Sequence, residues 1–340
     1  MGYNTPGGRS RRPTIRDVAK AAEVSRATVS RVLNGGHWVG AESRAKVEAA
    51  IERVGYSANQ HARSLASGRA GSVGFLLSEP RQLLFEDPNF AVLLRAAAQA
   101  LAARDMPLIL MVAASPDERR RIGSYLDAGH VDGVLLISSH RGDRLAQFLV
   151  DNRIPAVSCG KPLGLEDRLA YAAADDRSGA SAITRYLLGK GRRRVATVAG
   201  PQDMPGGVER LAGWRDAMGS QAAEALIASG DFSADSGARA TEELLARQVG
   251  FDAVFAASDL MAAGVLAALR RRGLAVPEDV AVVGFDDSGP AATLDPPLTT
   301  MRQPLDQIGA EMVRLLLAVI EGGAPESVLL PVTLVERASA

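Results

Sequence analysis

An arginine and an alanine stand side by side at positions 26 and 27, directly after Ser25, in the stretch TIRDVAKAAEVSRATVSRVLNG from Thr14 to Gly35. A guanidinium donates two hydrogen bonds to a guanine edge, and a methyl side chain offers apolar contact to the thymine methyl. With Ser30 and Arg31 also facing outward, these types suit a DNA major groove, provided they lie on a helix whose N-terminal end enters it. Residues of the opposite side supply that helix: Thr28, Val29, Val32 and Leu33 form its apolar face, Ser25 is a good N-cap, and Asn34, Gly35 and Gly36 end it. Ahead of it, Ile15, Val18, Ala19 and Ala22 recur at helical spacing after Thr14, with Asp17 placed to help satisfy free amides. The spacing predicts a helix from Ile15 to about Ala22, and Glu23 and Val24 leave room only for a tight turn. A third helix reads from ESRAKVEAAIERVGY, N-capped by Gly40, with Val47, Ala50, Ile51 and Val54 inward. Spacing alone leaves two readings open, a device for reading DNA and a bundle that merely closes a core.

Charge favours the first. The 340 residues balance 39 Lys+Arg against 39 Asp+Glu, yet residues 1–70 hold 12 basic and 5 acidic side chains and the remainder 27 and 34. A basic head on an acidic body directs the head at a polyanion.

Other chemistries lack their residues. The single cysteine, Cys159, can form neither an intrachain disulfide nor a thiolate metal site, which fits a reducing cytoplasm. The start, MGYNTPGGRSRRPT, is not followed by the apolar run of a signal peptide, and no apolar span is long enough for a bilayer. No strand-linked GxGxxG and no phosphate loop ending in Gly-Lys-Ser/Thr occurs. His37, His61, His130 and His140 show no metal spacing, and the pairs Asp175-Asp176 and Asp286-Asp287 are adjacent in sequence, unlike a catalytic carboxylate pair. The expectation is a cytoplasmic protein that is no enzyme, with no catalytic residue, metal or cofactor and no membrane partner.

From Ser72 onward short apolar runs such as SVGFLLS, VDGVLLIS, RVATVAG and DVAVVGFD alternate with amphipathic stretches such as FAVLLRAAAQALAARD. That alternation predicts parallel sheets flanked by helices, and roughly ten runs suit two doubly wound lobes better than one sheet. NQHARSLASGRAGS reads as a linker with a short helix inside it.

The head segment, followed by VEAAIERVGYSANQHARSL and then VDGVLLI, RLAGW, GDFSADSG, AASDLMAAG, VPEDVAVVGFDD, LTTMRQP and VTLVERAS, closely resembles the lactose-repressor/purine-repressor (LacI/GalR-type) family of bacterial transcriptional regulators. The resemblance spans nearly the whole chain. It implies an N-terminal all-α helix-turn-helix head (13–58), a hinge with a short helix (59–71) and an α/β two-lobed periplasmic-binding-protein-like body (72–340). Lobe one would take about 72–174 and 304–325, and lobe two about 176–302 and 328–338.

By the same resemblance, Arg26, Ala27 and Arg31 choose bases, while Thr14, Ser25, Thr28, Ser30 and Asn34 cap helices or hold phosphates. Arg63 and Leu65 of ARSL fall on the hinge helix, where the leucine wedges into the minor groove. Two hinges side by side imply a homodimer on a pseudo-palindromic site in double-stranded operator DNA. The chain ends at Ala340 without the lactose repressor's tetramerising helix, so a dimer is expected.

In the body, Arg210 matches an effector-clamping arginine, Asp286 an aspartate that accepts hydroxyl hydrogens, and Phe232 a ring for a sugar face. Asn89, Phe90, Asp175 and Ser258 align with other pocket positions. Two departures stand out: SEPRQLLFEDPNF is longer than in the purine repressor, and PQDMPGG has Met204 where that repressor has a purine-contacting arginine. The implied function is a repressor released from its operator by a small molecule, a sugar rather than a purine, with corepression as the alternative.

Overall fold

A computed structural model of the chain describes residues 13–33, 39–56 and 69–340, which fall into a head ending at Ala70 and a body, Gly71–Ala340. The described head contains α1 (Ile15–Ala22), α2 (Arg26–Leu33) and α3 (Ala41–Val54). The Asp17 carboxylate accepts from the Thr14 amide and hydroxyl, each at 2.7 Å, which ties down the start of α1. Glu23 then takes a left-handed φ of 55° and Val24 donates to the Ala19 carbonyl at 3.1 Å, so the chain turns within two residues. Ser25 opens α2 by accepting from the Thr28 amide at 3.1 Å. Val18, Val29 and Val47 are wholly buried and meet Ala19, Ala22, Val32 and Ala50 in one core. Asn34 and the hinge residues Arg63 and Leu65 lie outside the described residues.

The first lobe of the body is laid down as β1 (Val73–Leu77), α4 (Leu83–Glu86), α5 (Pro88–Ala102), β2 (Leu108–Val112), α6 (Pro116–Asp127), β3 (Gly133–Ile137), α7 (Arg144–Asp151), β4 (Ala156–Cys159) and β5 (Ala170–Ala174). The second follows as α8 (Asp176–Gly189), β6 (Val195–Ala199), α9 (Pro205–Met218), β7 (Ile227–Ser229), α10 (Ala234–Ala246), β8 (Ala253–Ala256), α11 (Asp259–Arg271), β9 (Ala281–Asp286) and β10 (Thr299–Arg302). The chain then returns to lobe one with α12 (Leu305–Ile320) and β11 (Ser327–Leu330), and to lobe two with β12 (Thr333–Val335). The two six-stranded sheets run β11-β5-β4-β3-β1-β2 and β12-β10-β9-β8-β6-β7. All neighbours are parallel except β10 and β12. One expected boundary shifts: Ser327–Leu330 pairs with β5, so residues 328–330 belong to lobe one and the return to lobe two comes after them.

The strands are apolar throughout because both faces of each sheet are covered. In β1, Val73, Phe75 and Leu77 meet Leu93 and Leu101 of α5 and Met312 and Leu316 of α12. Leu76, pointing the other way, meets Leu126 of α6 and Leu145 and Leu149 of α7. Lobe two closes around Trp214, Phe255 and Phe285, all fully buried.

Close helix packing there depends on glycine. A Cβ on Gly213 of α9 would sit 2.2 Å from the Arg177 carbonyl of α8. Gly213→Ala therefore forces the two helices apart, and we expect it to destabilise the body by about 1–3 kcal/mol in urea unfolding. Arg210 lies one turn earlier on α9, so the same variant should disturb its reach to α8.

Candidate functional site

In the head, Arg26, Ala27 and Arg31 are exposed while Thr28 and Ser30 are half-buried. Among the described residues no acidic side chain pairs with Arg26 or Arg31 within ion-pair distance. Val29 and Val32 hold the opposite face of α2 in the core, so the outward direction of Arg26 and Ala27 follows from the helical phase. Ser25 and Thr28 share a hydroxyl-to-hydroxyl bond of 2.9 Å at the helix start.

In the body, the strand ends of lobe two converge on one guanidinium. Arg210 Nε donates to Asp176 Oδ1 at 2.7 Å, and its Nη1 donates to the Ala257 carbonyl at 2.6 Å and to Asp286 Oδ1 at 3.1 Å. Gln303 Nε2 donates to the same Asp286 oxygen at 2.7 Å. Asp286 ends β9, Ala257 follows β8, Gln303 follows β10, and Asp176 opens α8, so the group sits at the carboxyl ends of the strands, where open α/β sheets bind ligands. The guanidinium carbon lies 3.9 Å from the Phe285 ring centroid and 6.0 Å from that of Phe232, both within cation–π reach.

Arg210 and Asp286 are each only 6% exposed. Burial opposes the charge on Arg210, but Asp176 and Asp286 outweigh it and hold the guanidinium above its ordinary pKa. Burial pushes the Asp286 carboxyl up, against the pull of Arg210, Gln303 and the Asn89 side chain.

The turn that presents Asp286 is strained, with φ of 120° at Asp286 and 53° at Asp287. Its surroundings over-determine it. The fully buried Asp259 accepts from the Ser288 amide at 2.8 Å and from Thr300 Oγ1 at 2.6 Å. Gly284 leaves the room for this, since a Cβ there would lie 2.3 Å from Asp259 Oδ1. Arg302 and Arg337 each bond Asp287 at 2.6 Å.

The remaining expected pocket residues divide. Phe232, at a φ of 68°, lays its ring over Gly200, where a Cβ would come within 2.5 Å of ring atoms. Asp175 accepts from the Ser178 amide at 3.1 Å and so caps α8, while its neighbour Asp176 is the aspartate that meets Arg210. Ser258 caps α11 by accepting from the Met261 amide at 3.2 Å. Phe90 packs on the lobe-one core.

Asp87 stands in the longer first loop. It caps α5 through the Asn89 amide at 2.9 Å. Burial, with Asp286 nearby, raises its carboxyl to about 6. Because the folded pKa exceeds the ordinary 3.8, Asp87's contribution to stability is full below about 3.8 and is lost as pH rises through about 6. We expect Asp87→Asn to remove that part of the slope when urea midpoints are compared from pH 4 to 7; an unaltered slope would contradict the raised pKa.

Among the described residues, no cluster of three His, Cys, Asp or Glu side chains could hold a metal ion, and no helix is long and apolar enough to cross a membrane.

A head that turns a basic helix face outward, joined to a body that gathers polar groups at the strand ends between two lobes, has the architecture of a ligand-responsive DNA-binding regulator. Residues 14–59 match the bacterial regulatory proteins of the lacI family, and residues 184–340 match the periplasmic binding protein-like domain. The chain is similar to the HTH-type transcriptional regulator CelR of Thermobifida fusca, 46% identical over 95% of this chain and 96% of that protein. Among solved structures, a transcriptional regulator CelR–cellobiose complex is 43% identical, with a TM-score of 0.78 over 97% of this chain and 100% of the other. The lac repressor dimer bound to operator and the anti-inducer ONPF superposes with a TM-score of 0.84 at 28% identity, covering 97% and 99%. The chain belongs to the lacI family of bacterial regulatory proteins.

Proposed function

We propose that this chain is a homodimeric, cytoplasmic repressor with no enzymatic activity, released from a pseudo-palindromic operator when a neutral sugar enters the cleft at Arg210 and Asp286. The sugar we infer is cellobiose or a related glucose oligosaccharide.

The observation that carries this reading is the balance of charge around Arg210. One guanidinium is set among Asp176 and Asp286, and Asp87 lies close enough to Asp286 that burial and this second carboxylate together raise the Asp87 carboxyl. An anionic ligand such as a sugar phosphate or a nucleotide would meet repulsion there. A polyhydroxylated neutral ligand would not: carboxylates accept its hydroxyl hydrogens, Arg210 and Gln303 donate to its oxygens, and Phe232 offers an apolar face. Met204 in place of a cationic side chain at the start of α9 supports the same choice. The CelR relative, whose solved complex holds cellobiose, narrows the class.

In the head, Arg26, Ala27 and Arg31 read bases, and Thr14, Ser25, Thr28 and Ser30 set the register on phosphates. The link to the cleft is thermodynamic: a sugar that prefers one arrangement of the two lobes shifts the chain away from the arrangement that binds operator, by as much as its affinity differs between them.

The test begins with an operator selected from a random DNA pool, followed by titration with and without sugar. Cellobiose should weaken operator binding by about 5- to 150-fold, the usual range of such coupling, while hypoxanthine should leave it unchanged. Operator affinity and thermal midpoint both indifferent to cellobiose and longer glucose oligosaccharides would defeat the sugar assignment. Tighter operator binding in cellobiose would make the sugar a corepressor.

A further inference from the structure

His140 makes a connection that the cleft chemistry does not use. It follows β3 in lobe one, and its two ring nitrogens face two carboxylates: Nε2 lies 2.9 Å from Glu79 Oε1 and Nδ1 lies 2.8 Å from Asp203 Oδ2. Glu79 belongs to the same lobe, following β1, is 8% exposed and also accepts from Ser138 Oγ at 2.5 Å. Asp203 belongs to lobe two, in the loop between β6 and α9. A second bond joins the same two loops, from the Arg141 amide to the Asp203 carbonyl at 2.6 Å.

A neutral imidazole carries one N–H and cannot donate to both acids; an imidazolium can. The Glu79 hydrogen bond, joined by that to Asp203, outweighs partial burial and pushes the ring to about 9. The lobe-to-lobe bond is therefore charge-assisted, about twice as strong as a neutral one.

Its place in the topology gives it leverage. The chain crosses between lobes after β5, β10 and β11, which lie at or next to the β11 and β12 edges of the two sheets. β3 and β1 stand fourth and fifth from the β11 edge, and β6 stands fifth from the β12 edge. At about 4.8 Å per strand, the His140–Asp203 contact is ~15–19 Å from the crossovers, so an opening of about 15° moves it ~4–5 Å, beyond hydrogen-bond range.

We propose that His140 and Asp203 form a latch on the side of the cleft opposite the crossovers, holding the lobes closed and setting ligand affinity without touching the ligand. For the ligand itself the proposal rests on the sugar reading above. His140 and Asp203 are positioning residues, and Glu79 is the buried anion that keeps the imidazolium aimed.

Two measurements on the full chain test it. The first is a double-mutant cycle of His140→Ala and Asp203→Ala read by cellobiose titration calorimetry. Each variant should weaken binding by about tenfold and the double variant no further, the signature of a coupled pair. Wild-type affinity in both single variants, or fully additive losses, would overturn the latch. The second reads the lobes without any sugar. Nitroxide labels at Arg121→Cys on α6 and Asp235→Cys on α10, both exposed, are placed in a Cys159→Ala background. Removing either latch partner should lengthen or broaden the label distance by about 4 Å; an unmoved distribution would overturn the proposal. Asp203 is half-exposed, so its variant should fold even if loss of His140 disturbs Glu79. If the wild-type chain binds no cellobiose, the sugar reading fails and the label distances still decide the latch.

Discussion

Arg210→Ala should lower the stability of the body by about 3–5 kcal/mol near neutral pH, the cost of removing one member of a buried ion group. The loss is large because Asp176 and Asp286 stay behind: their side chains are 12% and 6% exposed, and no other cation lies within ion-pair distance of either among the described residues. Gln303 remains as a donor to Asp286, but a neutral amide offsets only part of a buried charge. The Ala257 carbonyl loses its partner as well. Acidification should shrink the deficit, since the stranded carboxylates can take up protons; urea unfolding of the variant at pH 7 and pH 5 reads this directly. Head and body are separate units, so the transition to follow is that of the body. A deficit below about 1 kcal/mol at pH 7 would mean that the group relaxes toward solvent and is not a rigid clamp. Sugar binding should disappear in the same variant, whereas Arg210→Lys should keep part of the stability and little of the binding, because an ammonium cannot hold two carboxylates and a carbonyl in the guanidinium's planar geometry.

Arg26→Ala should alter which operators are preferred, not merely how tightly they bind. Arg26 is exposed at the first position of α2, next to Ala27, and its helix is held by Val29 and Val32 in a core that the substitution does not touch. Its removal should cost about 1–3 kcal/mol at one guanine and relax the preference there. Thr14→Val, at a position proposed to set the register on phosphates, should instead weaken all sequences alike. Sequencing of bound DNA from a random pool separates the outcomes. An unchanged ranking with Arg26→Ala would remove it from base recognition.

The head was legible from its residues to within a position. Helical phase is a local property: Val18, Ala19 and Ala22 mark the inner face of α1, and Ser25 marks the start of α2, without reference to anything more than a few residues away. The alternation of apolar runs likewise announced two wound sheets, because a strand covered on both faces must be apolar along its length. The short strands β11 and β12 escaped it: their residues are half-buried or exposed, and their assignment to opposite lobes depends on pairing with β5 and β10.

The cleft was legible only in part. The sequence names Arg210 and Asp286, which the structure brings together, yet which of two adjacent aspartates meets the arginine turns on a single residue of phase. Asp175 sits just outside α8 and caps it, while Asp176 begins the helix about 100° further round and points at Arg210. Asp87, Gln303 and the His140–Asp203 contact carried no sequence signal at all. Gln303 meets Asp286 from the neighbouring strand of the same lobe, while His140 meets Asp203 from the other lobe, 63 residues away, and no periodicity encodes such a meeting. Composition and spacing settle which faces are buried and where helices begin; the assembly of charges around Arg210 comes from strands and loops brought together by packing, where a rotation of one residue or one strand of register exchanges a cap for a group that meets Arg210.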